Sequence, residues 1–275
     1  MRRWLLAVAI CGVAACGSEN TAPESGQPKR PPTTFDGALI ADVSAKAAHG
    51  KRLSDVLGCS GCHGKTLEGN VWVDSPEGGV LHAPNLTLAL PKYTDAQLKR
   101  LLLTGEHPRR EHLWEMPSAL FQHLAAPDVD GLIAYLRTLK PAGEPSPEPV
   151  IGPLAKQMIE KGELKPTSQL VQETRNVGPV DMGPSHKLGR YITRVTCAEC
   201  HGPKLEGGDK NPDLIAVGAY TGEEFEKLIT QGVAKGDRKL HPLMVDVAKG
   251  RFSKLTPHER EALYAYLKAR AEQPN

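Results

Sequence analysis

Apolar side chains recur along this chain at intervals of three and four, the spacing of amphipathic helices, and no run alternates one by one as a half-buried strand would. Leu98, Leu101 and Leu102 share one helical face, behind Thr94 as N-cap and ahead of Gly105 as stop. Phe225, Leu228 and Ile229 repeat that face behind Thr221, where Glu224 completes a capping box, and end at Gly232. Longer helices are predicted over 127–139 and 257–270, each opening with a proline at the first helical position and each containing Ala-Tyr-Leu. Thr256 and Glu259 cap the second of these. Two further helices are predicted over 41–56 and 188–195, so the expected fold class is all-α.

The same landmarks occur twice, in the same order. Cys62-His63-Gly64 leads to Leu67-Glu68-Gly69, and Cys200-His201-Gly202 leads to Leu205-Glu206-Gly207. Tyr93-Thr94 is followed by Gly105 12 residues after the tyrosine, and Tyr220-Thr221 by Gly232 at the same interval of 12. The pattern predicts a tandem duplication, one domain over 36–140 and a second over 186–275. Between them, Pro141, Pro145, Pro147 and Pro149 predict a stiff connector at which the domains separate. The rest of 141–185 reads as an extended strap, with Leu154, Met158 and Ile159 marking one short helix. The copies differ in one stretch: Pro84 lies 21 residues after His63, but Pro212 only 11 after His201. The first copy therefore carries an insertion, with Trp72 and a Pro76-Glu77-Gly78-Gly79 turn, read as loop variation.

The first residues carry no repeat. After Arg2 and Arg3, residues 4–15 are mostly apolar, long enough for a secretory signal and too short to span a bilayer. We therefore read 1–15 as a signal peptide. Val13-Ala14-Ala15-Cys16 resembles the lipobox of bacterial lipoproteins, which implies that Cys16 is the lipid anchor of a periplasmic protein; Gly17 after it favours the outer membrane. Residues 16–35, with Pro23, Pro28, Pro31 and Pro32 among polar residues, read as a flexible tether. Without Arg2 and Arg3, the 34 basic residues fall to 32, against 32 acidic, and that balance gives no case for a nucleic-acid partner.

Six cysteines would suggest disulfides, but Cys11 leaves with the leader and Cys16 is the anchor. The remaining four form Cys59-Ser60-Gly61-Cys62-His63 and Cys197-Ala198-Glu199-Cys200-His201, and Cys-x-x-Cys-His is the attachment signal for c-type haem. Two thiols one helical turn apart each add to a vinyl group of one porphyrin, and the adjacent imidazole ligates the iron. A thioredoxin-like pair, a four-cysteine zinc site or two disulfides compete with this reading, and each leaves His63 and His201 unexplained. Two covalently bound haems c are expected. They also account for an aromatic content of only 5%, since each supplies apolar surface to a small core.

With these residues in view, the chain resembles the class I cytochrome c family, and more closely the di-haem cytochromes associated with bacterial periplasmic alcohol or gluconate dehydrogenases. The resemblance rests on the two attachment signals, Ala83-Pro84-Asn85-Leu86-Thr87, Met116-Pro117, Ala134-Tyr135-Leu136-Arg137 and Ala265-Tyr266-Leu267-Lys268. It implies that the helix before each signal crosses the last helix of its domain, with Gly50 against Tyr135 and Gly189 against Tyr266. It also implies that the carbonyls of Pro84 and Pro212 accept the proton of the proximal imidazoles of His63 and His201.

For the opposite axial position the repeat itself offers a candidate. Met116 lies 11 residues after Gly105 and Met244 12 after Gly232, whereas His112 and His241 do not match in place. The resemblance agrees, since such members take a distal methionine from a loop before the final helix. His107, His112 and His123 are the fallbacks in the first copy and His241 in the second; His49, His82, His186 and His258 read as surface or packing residues. Basic residues precede each methionine: Arg109 and Arg110, then Lys235, Arg238 and Lys239. The implied function is single-electron transfer from a dehydrogenase or quinol-oxidising donor to an oxidase or other acceptor, by a carrier rather than an enzyme. The alternative is a di-haem peroxidase with one exchangeable iron site, against which a methionine in both copies argues.

Overall fold

A computed structural model describes residues 31–208, 210–236 and 238–273. Cys16 and the signal peptide lie outside the described residues. About half the chain is helical. Helix α1 (Val43–Val56) starts two residues later than expected, because the Asp42 side chain accepts from the Ala45 N–H and caps it. Helix α2 (Asp95–Thr104) has Thr94 and Gln97 as a reciprocal capping box and ends at Gly105 in the left-handed conformation. Helix α3 (Ala126–Leu136) places Pro127 in its first turn, where a missing N–H costs nothing.

In the second half, α6 (Lys187–Val195), α7 (Gly222–Gln231), α8 (Pro242–Gly250) and α9 (Pro257–Ala271) follow, with the capping boxes at Thr221/Glu224 and Thr256/Glu259 both formed. In each half the first helix crosses the last at a glycine. A Cβ on Gly50 would lie 1.9 Å from the Gly131 carbonyl oxygen and 2.8 Å from the Tyr135 Cβ. One on Gly189 would lie 2.1 Å from the Ala262 oxygen and 2.4 Å from the Tyr266 Cβ. The backbones touch there, so any side chain forces the helices apart.

Three expectations need correcting. The fold is not purely all-α: the insertion forms a hairpin, β1 (Asn70–Ser75) antiparallel to β2 (Gly79–Ala83), and β3 (Val150–Ile151) pairs with the far side of β2. Alternation is blurred there because a register shift between Val71 and Val73 interrupts the pairing, and Val71 and Trp72 both remain exposed. Second, 150–185 is not an extended strap; beside β3 it holds α4 (Pro153–Glu160) and α5 (Thr167–Thr174), whose Val171 and Thr167 are buried. Third, residues 32–275 form one compact unit rather than parting at the prolines.

A shared seam explains that unity. Arg52 of α1 reaches across to the fully buried carboxylate of Glu259 on α9, at 2.6 and 2.9 Å. Tyr191 of α6 reaches the other way and donates to the buried Asp128 of α3 at 2.7 Å. Arg52 and Tyr191 each stand two residues after the crossing glycine of their helix, and Asp128 and Glu259 each seven before the crossing tyrosine. The exchange is therefore reciprocal, as across a two-fold axis. Between the two carboxylates runs residue pair 35–36: the Phe35 N–H donates to Asp128 at 3.1 Å and the Asp36 N–H to Glu259 at 2.8 Å.

Candidate haem-attachment sites

Each attachment signal forms one short helical turn, Cys59–His63 and Ala198–His201, directly after the first helix of its half. The chain then closes identically on both. The Gly69 N–H donates to the His63 carbonyl at 2.9 Å, and the Gly207 N–H to the His201 carbonyl at 2.8 Å. Leu67 and Leu205, both buried, sit at φ 61° and 65° and accept from the N–H of Leu86 and Leu214. Two non-glycine residues in the left-handed region, at matching places, mark a loop held by its surroundings.

That loop presents the imidazole. His63 Nδ1 lies 2.9 Å from the Pro84 carbonyl oxygen, and His201 Nδ1 lies 2.8 Å from that of Pro212. An Nδ1–H donated to a carbonyl fixes the tautomer and leaves Nε2 as the ligating nitrogen. Burial also holds His63 below its ordinary pKa, keeping it neutral. The hairpin occupies the ten extra residues without moving Pro84 out of place, since β2 ends at Ala83.

The four thiols are free. Burial pushes all four up, Cys197 to about 11. Among the described residues no group of three or more His, Cys, Asp and Glu side chains converges to hold a metal ion. The donor set fits a haem c in each half: paired thiols on one turn, an oriented neutral imidazole, and an apolar surround that includes Leu67, Leu98 and Leu205.

Met116 and Met244 both lie half-buried against the core. Their mounts differ. Met116 sits in a turn entered through Glu115 at φ 61°. That turn is braced from outside: the Thr167 hydroxyl of α5 donates to the Met116 carbonyl at 3.2 Å, and the Thr167 N–H donates to the Leu113 carbonyl at 2.9 Å. Met244 is not on a loop as expected but in the first turn of α8, whose start is fixed by Pro242 and by His241 Nδ1 accepting from the Leu243 N–H at 3.2 Å. Thr167 gave no sequence signal of its role.

The fallback histidines are otherwise engaged. His107 Nδ1 accepts from the N–H groups of Arg109 and Arg110 at 3.1 and 3.0 Å, His112 lies exposed against Trp114, and His241 is the cap just described. His123 is held down to about 4 by burial and by Arg194. His49, read as a surface or packing residue, is a packing one: it is buried with Nε2 3.0 Å from Asp128. In each basic loop one arginine covers a tyrosine of its own half, Arg109 over Tyr93 and Arg238 over Tyr220.

The second half carries the deciding likeness. Residues 187–271 match the cytochrome c family model. That match supports a c-type cytochrome, and a domain of this kind implies a covalently bound haem c and haem-based electron transfer. The matched stretch contains Cys197, Cys200, His201, Met244 and the crossing of α6 with α9. No curated protein matches the chain.

Proposed function

We propose that the protein is a di-haem electron carrier built from two tandem class I cytochrome c domains. The observation that carries this reading is the repeated imidazole mount: His63 on Pro84 and His201 on Pro212, at 2.9 and 2.8 Å, behind identically closed loops. Cys59 and Cys62 hold the first haem, Cys197 and Cys200 the second. His63 and His201 are proximal ligands, and Met116 and Met244 distal ones. A bound haem c supplies a reversible one-electron iron couple, and thioether ligation raises its potential. The chain's own part is to fix each imidazole, keep both faces of the iron closed to exogenous ligands and exclude water.

Around that core we place a wider role: periplasmic, lipid-anchored through Cys16, taking electrons from a dehydrogenase or quinol-oxidising donor and passing them to an oxidase or other acceptor. A methionine available in both halves, Met116 and Met244, favours the carrier over the peroxidase.

The test is a haem count by intact mass and pyridine haemochrome, followed by a spectroscopic redox titration of wild type, Met116→Ala and Met244→Ala. Two haems are expected, each substitution lowering one potential and opening one iron to cyanide. Wild-type protein that binds cyanide and turns over peroxide would replace the carrier with the peroxidase. Unchanged spectra in either variant would remove that methionine from the coordination sphere.

A further inference from the structure

One side chain touches both attachment turns. Arg251 follows α8 in the second half, and its side chain, 16% exposed, leaves that half. Its Nε donates to the Val56 carbonyl at 3.0 Å, one of the carbonyls left open at the C-terminal end of α1, where the helix dipole favours a cation. The same guanidinium donates to Glu199 at 2.8 Å, and Glu199 lies between the two cysteines of the second signal.

It also lies flat against Gly58, the residue immediately before Cys59. A Cβ there would come within 2.8 Å of its Cζ and Nε, and Gly58 has φ +78°. The residue before Cys197 is Thr196, buried and at φ −131°, so only the first signal has been opened to admit a neighbour. Arg251 is placed one residue before the buried Phe252; Leu120 stands correspondingly before the buried Phe121. The bridge is therefore one-sided and belongs to no repeat.

We propose that Arg251 is a positioning residue that joins the two attachment sites into one electrostatic unit, setting the potentials of both haems together. This rests on the di-haem reading above. A fixed positive charge opposes the extra positive charge of oxidised iron and so raises a potential; the Glu199 carboxylate beside it acts in the opposite sense. Removing Arg251 leaves Glu199 alone, and removing Glu199 leaves Arg251 alone, so the two changes carry opposite signs at both irons.

The experiment compares wild-type holoprotein with Arg251→Gln, Arg251→Lys and Glu199→Gln, haem content counted first and both potentials then read by spectroelectrochemistry. Arg251→Gln is expected to lower both potentials, each by about threefold to tenfold in the one-electron equilibrium constant, tenfold being 59 mV. Glu199→Gln is expected to raise both, and Arg251→Lys, which keeps the charge without the fork, to stay within about twofold of wild type. A purely structural role would move Arg251→Gln and Glu199→Gln in the same direction, and that result overturns the proposal, as does a response confined to one haem. Should Arg251→Gln fail to mature, Glu199→Gln and Arg251→Lys decide on the same criteria. A wild-type protein with a single haem overturns the di-haem reading and this inference with it, and the initial count identifies that failure before any potential is compared.

Discussion

Met244 rides on a helix and Met116 on a braced turn, although we propose the same distal-ligand role for both. In the second half, Pro242 and His241 start α8 locally, and the methionine's position follows from neighbours in sequence. In the first half, the turn depends on Thr167, which lies 51 residues away on α5. The segment joining the halves is thus a working part of the first. Two copies of a motif can keep the same chemical endpoint while one supports it internally and the other borrows support from the connection between them.

The seam provides the sharpest way to break this comparison. Arg52→Ala leaves Glu259 buried without its cationic partner and is expected to cost about 3 kcal/mol by denaturant unfolding, because an uncompensated buried carboxylate is worse than an absent pair. Tyr191→Phe removes the hydrogen bond to Asp128, which keeps the Phe35 N–H and His49, together with the acceptor of the Ala125 N–H, and is expected to cost about 1.5 kcal/mol. Equal costs would mean that the reciprocal contacts are energetically equivalent after all.

Thr167→Ala should separate the two mounts. It removes the bond to the Met116 carbonyl for about 1 kcal/mol of stability, weakening the methionine-ligation absorption of the first haem while leaving that of the second intact. A loss shared by both haems would contradict the borrowed support.

The smallest effect concerns pH. His123 is held at about 4 in the folded chain, against an ordinary value of 6.5, chiefly by burial and then by Arg194. The unfolded chain therefore binds a proton first as pH falls, so stability declines between about 6.5 and 4. His123→Gln is expected to flatten that decline by a modest amount, since the imidazole is only half-buried, in urea titrations across that range. An unchanged slope would show that other groups carry it.

How much of this was legible depended on distance along the chain. Local signals held, namely the boxes at Thr221 and Thr256 and the stops at Gly105 and Gly232, whereas the crossing glycines and the prolines facing each histidine were implied by the family resemblance and are present too. The hairpin was missed because its apolar residues are partly exposed and its register slips at Val71. Helix α5 was missed because its eight residues carry only two bulky apolar side chains, Leu170 and Val171, adjacent rather than at helical spacing. The seam joins residues more than 200 positions apart, as Arg52 and Glu259 are, and no periodicity reports such a pair. Gly58 where the second signal has Thr196 was the one clue to Arg251, and it makes sense only with the guanidinium in place.

Phe35 has a mechanical consequence. Expected to end the tether, it is instead buried at 1% exposure, and with Asp36 it is threaded between Asp128 and Glu259. Any load applied through the preceding residues arrives first at the joint between the halves, not at an outer surface. Tension on the N-terminal stretch would thus be felt where the two halves meet, and residues 35–36 double as the clasp that keeps them shut.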